Sequence, residues 1–400
     1  MARRVFLHVG SPKTGTTFLQ DVLWSQRKVA MDQGLLLPLD AFFDHYLATV
    51  DVRDIEPQPA DLERATDVWR RIVDASLAWD GDVLVSHELF APATAAQAER
   101  AIAAFGPEPE IHLVLTARDL VRQIPAEWQE HVKHRSTVRF DDFVEDLRRE
   151  DPKTWFWKVQ DFPDVLRRWG STLPPEHVHV VTVPPAGQPT NLLWDRFAGL
   201  LGLDPTSFTT TGLRANTSLG YEQAELLRRV NVALGERLPM PGPYAPDVKS
   251  VFAERVLSSQ PGERLALTGE GFDYAVTRSE RMAGELKDMG LDVVGDLAEL
   301  VPDRAQAENR PVLPPPSDDV VLTESITALT GLLEKYSELR QRAQRERLEL
   351  NRLKQLEAEM RQRPVKHLLR GLSERWTWAG KARGVARRTR EKVRGSDGGS

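Results

Sequence analysis

Val5-Phe6-Leu7-His8-Val9-Gly10-Ser11-Pro12-Lys13-Thr14-Gly15-Thr16-Thr17 is an apolar run, then a glycine-bearing polar loop, and an amphipathic segment from Phe18 to about Ala30 follows it. That order predicts strand, loop, helix. A loop of this kind turns backbone N–H groups and a helix N-terminus toward one point, and that point favours an anion. Lys13 adds a full positive charge, and Thr14, Thr16 and Thr17 add hydroxyl donors. The expected ligand is a phosphate-like group.

The loop departs from the nucleotide-triphosphate pattern of Gly, four residues, Gly, Lys, then Ser or Thr. Gly10 and Gly15 have that spacing, but Thr16 stands where the lysine belongs and the lysine is at position 13. Pro12-Lys13-Thr14-Gly15-Thr16-Thr17 resembles the 5'-phosphosulfate loop of sulfotransferases that use 3'-phosphoadenosine 5'-phosphosulfate (PAPS). The resemblance implies an α/β fold with a central parallel sheet flanked by helices, similar to that of nucleotide kinases. It implies PAPS as donor, no metal, and Ser11 to Thr17 as the residues around the 5'-phosphate, with Lys13 catalytic.

Two further segments are read against that resemblance. Asp82-Val83-Leu84-Val85-Ser86-His87-Glu88 is a strand pattern ending in polar residues, where the family places a general base. Neighbours on a strand point to opposite faces, so one of Glu88 and His87 serves, with Glu88 preferred. Leu113 to Ala117 is a strand pattern followed by Arg118, which matches the family's 3'-phosphate arginine. The family's serine eight residues on is Ala126 here, so Gln123 or Arg122 is expected to supply the missing donor. A planar guanidinium fork suits a phosphate. Arg214, in the polar loop 212–220, is a candidate for the adenosine end.

The rest of the chain is consistent with this reading. Five β-branched or apolar runs, Val5–Val9, Leu35–Leu37, Val83–Val85, Ile111–Leu115 and Val178–Val183, alternate with helical patterns. Examples of the latter are Asp61–Ala78, Ala93–Phe105, Leu120–Val132 and Phe162–Trp169, and the alternation predicts a parallel sheet covered on both faces. Helical patterns at Leu192–Leu201, Tyr221–Leu234 and Asp247–Ser258 come next, and Gly290–Leu297 reads as a closing short strand or turn. The expected organisation is a catalytic domain over 1–301, a proline-rich linker over 302–318, a long helix with coiled-coil character over 319–361 and a basic tail over 362–400. The long helix is a candidate homo-oligomerisation element. The tail suits either disorder or an anionic membrane surface.

Composition narrows the function. With no cysteine among 400 residues, disulfides and thiolate metal sites are excluded. Twelve Lys or Arg against three Asp or Glu from Arg361 to Ser400 give +9, which leaves about −15 on the remainder of a chain whose net charge is −6. An acidic body argues against nucleic acid as a partner. With no apolar leader before the first strand, a cytoplasmic location is expected. His131 and His134 sit among charged residues on what reads as an exposed helix, and neither they nor His177 and His179 show a third ligand, so no metal is predicted. A small-molecule or glycan acceptor is expected, with a glycolipid or protein left open, and Phe42, Phe43, Tyr46, Trp155, Phe156 and Trp157 suit either contacts to a sugar or apolar ring or the core. Two other classes remain open: an ATP-dependent small-molecule kinase, which would normally carry lysine at position 16, and a non-catalytic coiled-coil scaffold.

Overall fold

Six strands form one all-parallel sheet in the computed structural model, which describes residues 2–212, 218–306 and 314–362. They are β1 (Arg4–Gly10), β2 (Leu35–Leu36), β3 (Asp82–Ser86), β4 (Glu110–Ala117), β5 (Val178–Thr182) and β6 (Asp292–Val294), in spatial order β2-β3-β1-β4-β5-β6. Arg214, residues 307–313 of the proline-rich segment and the basic tail beyond 362 lie outside the described residues. No described helix is long and apolar enough to cross a membrane.

Burial on both faces explains why the strands read as unbroken apolar runs. Val5, Phe6, Leu7, His8 and Val9 are all at most 2% exposed. Their side chains alternate between two cores. Phe6, Leu84, Val114 and Val181 pack with Leu19, Leu23, Trp194 and Phe197 on one face. Val5, Leu7, Val83, Val85, Leu113 and Val180 pack with Ile124, Leu166 and Trp169 on the other.

The strand order puts the loop where ligands collect. The chain leaves β1 for β2 on the far side of β3, whereas from β3 onward it steps the other way, to β4, β5 and β6. The carboxyl end of β1 is therefore a switch point, the usual place for a crevice in a parallel sheet. The register between β1 and β4 shifts there as well: His8 pairs with Val114 but Gly10 with Leu115, leaving Val9 as an extra residue.

Helix boundaries differ from the periodicity in instructive ways. The segment from Phe18 to Ala30 is two helices, Thr16–Ser25 and Arg27–Asp32, broken at Gln26. The pattern at Asp61–Ala78 is interrupted by Asp67 in the left-handed region, so its main helix is Val68–Leu77. Asp247–Ser258 lies in a π-helical segment, Ala245–Val256, whose wider turns rotate side chains differently from an α-helix. A 20-residue helix, Gly269–Asp288, precedes β6. The long C-terminal helix spans Asp318–Gln362. Two compact units divide the chain, Met1–Ala328 and Leu329–Ser400. The first runs past residue 301, because Val321 and Ala328 are buried in the core of the body.

Candidate functional site

The loop after β1 is held from behind by polar side chains of three strands. Thr14 Oγ1 lies 2.5 Å from the Ser11 carbonyl oxygen, to which it donates, and 2.5 Å from Thr116 Oγ1. Thr116 Oγ1 also donates to the Gly10 carbonyl at 3.0 Å. His8, fully buried, is hydrogen-bonded with Ser86 Oγ at 2.8 Å, and burial lowers its pKa to about 4, so it is neutral. From the side, Gln123 and Gln160 both donate to the Pro12 carbonyl, at 2.5 and 3.1 Å. Glycine is required at two places. Gly10 has φ +127° and passes so close to the Glu88 backbone that a Cβ would sit 3.1 Å from its oxygen. Gly15, at φ +87°, caps the helix Thr16–Ser25, and a Cβ there would overlap Leu193.

In front of the loop lies a cavity of about 1430 Å³. Pro12, Lys13, Gly15, Thr16 and Thr17 line one side, and Glu88, Arg118 and Arg122 also face it. Ser11 and Thr14 are buried behind the loop and brace it; Gln123 is buried beside them and does not line the cavity. Of the two base candidates, Glu88 lines the cavity, whereas His87 stacks on Phe42 at 5.3 Å between ring centres and accepts a hydrogen bond from the Leu89 N–H. Strand β3 ends at Ser86 and Glu88 opens a short 3-10 turn, which puts only Glu88 on the cavity although His87 Nδ1 stays 3.9 Å from its carboxylate. Burial pushes the Glu88 carboxyl up, but His87, its own backbone and the Gln20 amide at 3.3 Å outweigh burial and hold it below its ordinary range.

The electrostatics favour an anion. Burial, then Arg122 and Arg264 nearby, lower Arg118 to about 10. Arg118 donates to the Lys13 carbonyl at 3.1 Å, and its buried Nε has no partner. Lys13 itself donates to Glu130 Oε2 at 2.5 Å, and Lys249 to Glu130 Oε1 at 2.9 Å. Against its burial, Lys13, Lys249 and Lys133 hold Glu130 well below the ordinary carboxylate range. Glu127, one turn earlier, is buried and pushed up to about 7 by that burial; Lys13 opposes the shift.

Several lining residues carry no signal of their own in the sequence. Glu127, Glu130, Lys133, Lys249 and Arg264 reach the cavity from a helix face and from segments more than 230 residues beyond the loop. The helix Leu120–Lys133 is covered by Tyr221–Leu234, Ala245–Val256 and Gly269–Asp288, so His131 is only partly exposed; His134, just past the helix end, is exposed, and both histidines line the cavity. The absence of a third ligand near His177 also fails, because the sheet register brings Glu110 and His112 beside it. Of the aromatic candidates, Tyr46 and Trp155 line the cavity, while Phe156 and Trp157 are core.

Fold and site together define an α/β protein with a strand–loop–helix motif opening on a cavity at the switch point of a parallel sheet. No family model matches the chain, and no curated protein matches it. Among solved structures the chain is similar to a sulfotransferase from Alicyclobacillus acidocaldarius, at 16% identity and a TM-score of 0.33, over 60% of this chain and 96% of that one.

Proposed function

We propose that this chain is a sulfotransferase that moves a sulfuryl group from PAPS to an acceptor hydroxyl or amine. The observation that carries the reading is a single cavity that joins the Lys13 loop, the Glu88 carboxylate and the Arg118 guanidinium. Its volume exceeds what one small ligand needs, which leaves space for donor and acceptor together. The orphaned, buried Arg118 Nε fits a phosphate oxygen.

In this reading Thr16, Thr17 and the first N–H groups of the helix Thr16–Ser25 hold the 5'-phosphate, and Arg118 the 3'-phosphate. Glu88 accepts the acceptor's proton as the acceptor oxygen or nitrogen bonds to sulfur and the bond from sulfur to the 5'-phosphate oxygen breaks. Lys13 meets the charge that grows on that departing oxygen. For this it leaves Glu130, which keeps Lys249 as a partner at 2.9 Å and so is not stranded. A sulfuryl group carries less charge than a phosphoryl group, so the step needs no metal clamp. Tyr46 and Trp155 suit the face of a sugar or an apolar ring in the acceptor. The exposed Leu322, Ile326, Leu329 and Leu333 follow a 4-3-4 spacing and suit self-association through 319–361.

Calorimetric titration with 3'-phosphoadenosine 5'-phosphate tests the cofactor. Binding without metal is expected, and Lys13→Ala should weaken it roughly 10–100-fold, the worth of one charge-assisted bond. Turnover in that variant should fall at least about 100-fold. Binding of ATP with Mg²⁺ alone would move the chain to the kinases, and binding of neither would leave the scaffold.

A further inference from the structure

At the opposite end of the sheet from the anion loop, five side chains with ligand chemistry meet. Glu110 begins β4 and His112 follows on it; His177 ends the turn before β5 and His179 follows; Asp292 begins β6. Parallel pairing puts the amino ends of β4, β5 and β6 side by side. Among the described residues, Glu110, His112 and His177 bring one ligand atom each within 4.8 Å of one another.

The hydrogen bonds fix the protons. The Asp292 carboxylate can only accept, so His179 donates to it from Nδ1, at 2.6 Å. The neutral His179 ring then has a lone pair at Nε2, and His112 Nδ1 donates to it at 2.8 Å. That leaves His112 with a bare lone pair on Nε2. This atom is buried, has no hydrogen-bond partner, and lies 3.7 Å from Glu110 Oε2. The His112 and His177 rings stack at 4.4 Å.

We propose that Glu110, His112 and His177 form a binding site for a divalent transition-metal ion such as zinc. Two imidazoles and a carboxylate are a zinc donor set, and around a tetrahedral ion such atoms stand about 3.3–3.5 Å apart; here all three lie within 4.8 Å of one another, with His112 Nε2 3.7 Å from Glu110 Oε2. His179 and Asp292 supply the outer shell, holding the His112 ring in the tautomer that a metal ligand needs. Glu110 and Asp292 together balance the ion's two charges. Arg4 lies opposite Glu110 in the sheet, but Asp82 holds its guanidinium in an ion pair. Glu110 is exposed and His177 partly so, which gives the ion a path from solvent. The site is remote from the cavity, and its effect is to tie the entries of β4 and β5 together.

The test uses the full chain without a histidine tag, stripped with chelator and titrated with cobalt(II) chloride, then zinc chloride. One equivalent of cobalt is expected, with the visible absorption of a low-coordinate site, and zinc should displace it. Glu110→Gln and His177→Ala are at accessible positions and should weaken binding at least tenfold while the circular dichroism stays unchanged. Asp292→Asn should weaken it about 10–100-fold. His134→Ala, in the cavity, should bind as the parent does. Absence of the cobalt spectrum at saturating metal overturns the proposal, as does binding that Glu110→Gln and His177→Ala leave unaltered.

Discussion

Glu127 is the residue whose ionisation most directly couples the site to stability. It is 2% exposed, and the Gln160 amide that donates to its Oε1 at 2.9 Å also holds the Pro12 carbonyl. Its pKa is raised from 4.5 to about 7. Between those values the folded state keeps a proton that the unfolded chain releases, so this group's contribution falls as pH rises through that window. Above pH 7 both states are ionised and the buried carboxylate costs about 3 kcal/mol. Glu127→Gln preserves the acceptor for Gln160. It should match the parent in urea unfolding near pH 4.5 and exceed it by up to about 3 kcal/mol near pH 8; a difference that ignores pH would mean that Glu127 does not titrate this way. The sequence offered Glu88 as the preferred base with His87, one residue away, as the second candidate. What separates them is the end of β3 at Ser86 and the turn that begins at Glu88, a choice of backbone that spacing does not encode.

At the scale of elements, β1, β3 and β4 each contribute a polar side chain to one buried layer beneath the loop: His8, Ser86 and Thr116. Thr116 touches Gly10, Thr14 and His8 at once. Thr116→Val keeps the shape and removes the hydroxyl. It should destabilise the protein by about 1–3 kcal/mol, because the Gly10 carbonyl loses its donor. It should also weaken nucleotide binding several-fold in calorimetry, since the loop loses its brace without losing a contact to the ligand. The strands were legible from the outset, because a sheet buried on both faces writes itself as short unbroken apolar runs. The Lys13 loop was legible too, since its chemistry is contiguous. Less of the helical half could be read. Asp67 breaks a helix by adopting a left-handed backbone that many residues could refuse, and the π-turns of Ala245–Val256 aim Lys249 at Glu130 in a way that 3.6-residue periodicity does not anticipate. His131 reads as surface because its neighbours are charged, yet it is only partly exposed and those charges face a cavity.

For the whole molecule, the compact body runs from Met1 to Ala328 and so includes the start of the long helix. Val321 and Ala328 are buried there, Glu324 accepts from Gln223 at 2.8 Å, and Asp318 pairs with Arg229 at 2.7 Å. A chain ending at 328 should therefore melt like the full-length body, while one ending at 316 should lose about 3 kcal/mol, mostly from the burial of Val321. Under the self-association reading, sedimentation should also show the full chain as an oligomer and the 1–328 chain as a monomer. The cavity has a further consequence, for how the protein comes into being. Its lining joins Lys13, at the end of the first strand, to Lys249 and Arg264, which are made only after most of the sheet. The anion loop thus spends synthesis beside an unfinished wall, with its cation lacking the geometry that Glu130 and Lys249 later impose. Capacity to hold a ligand therefore arrives late, when five of the six strands have already been made.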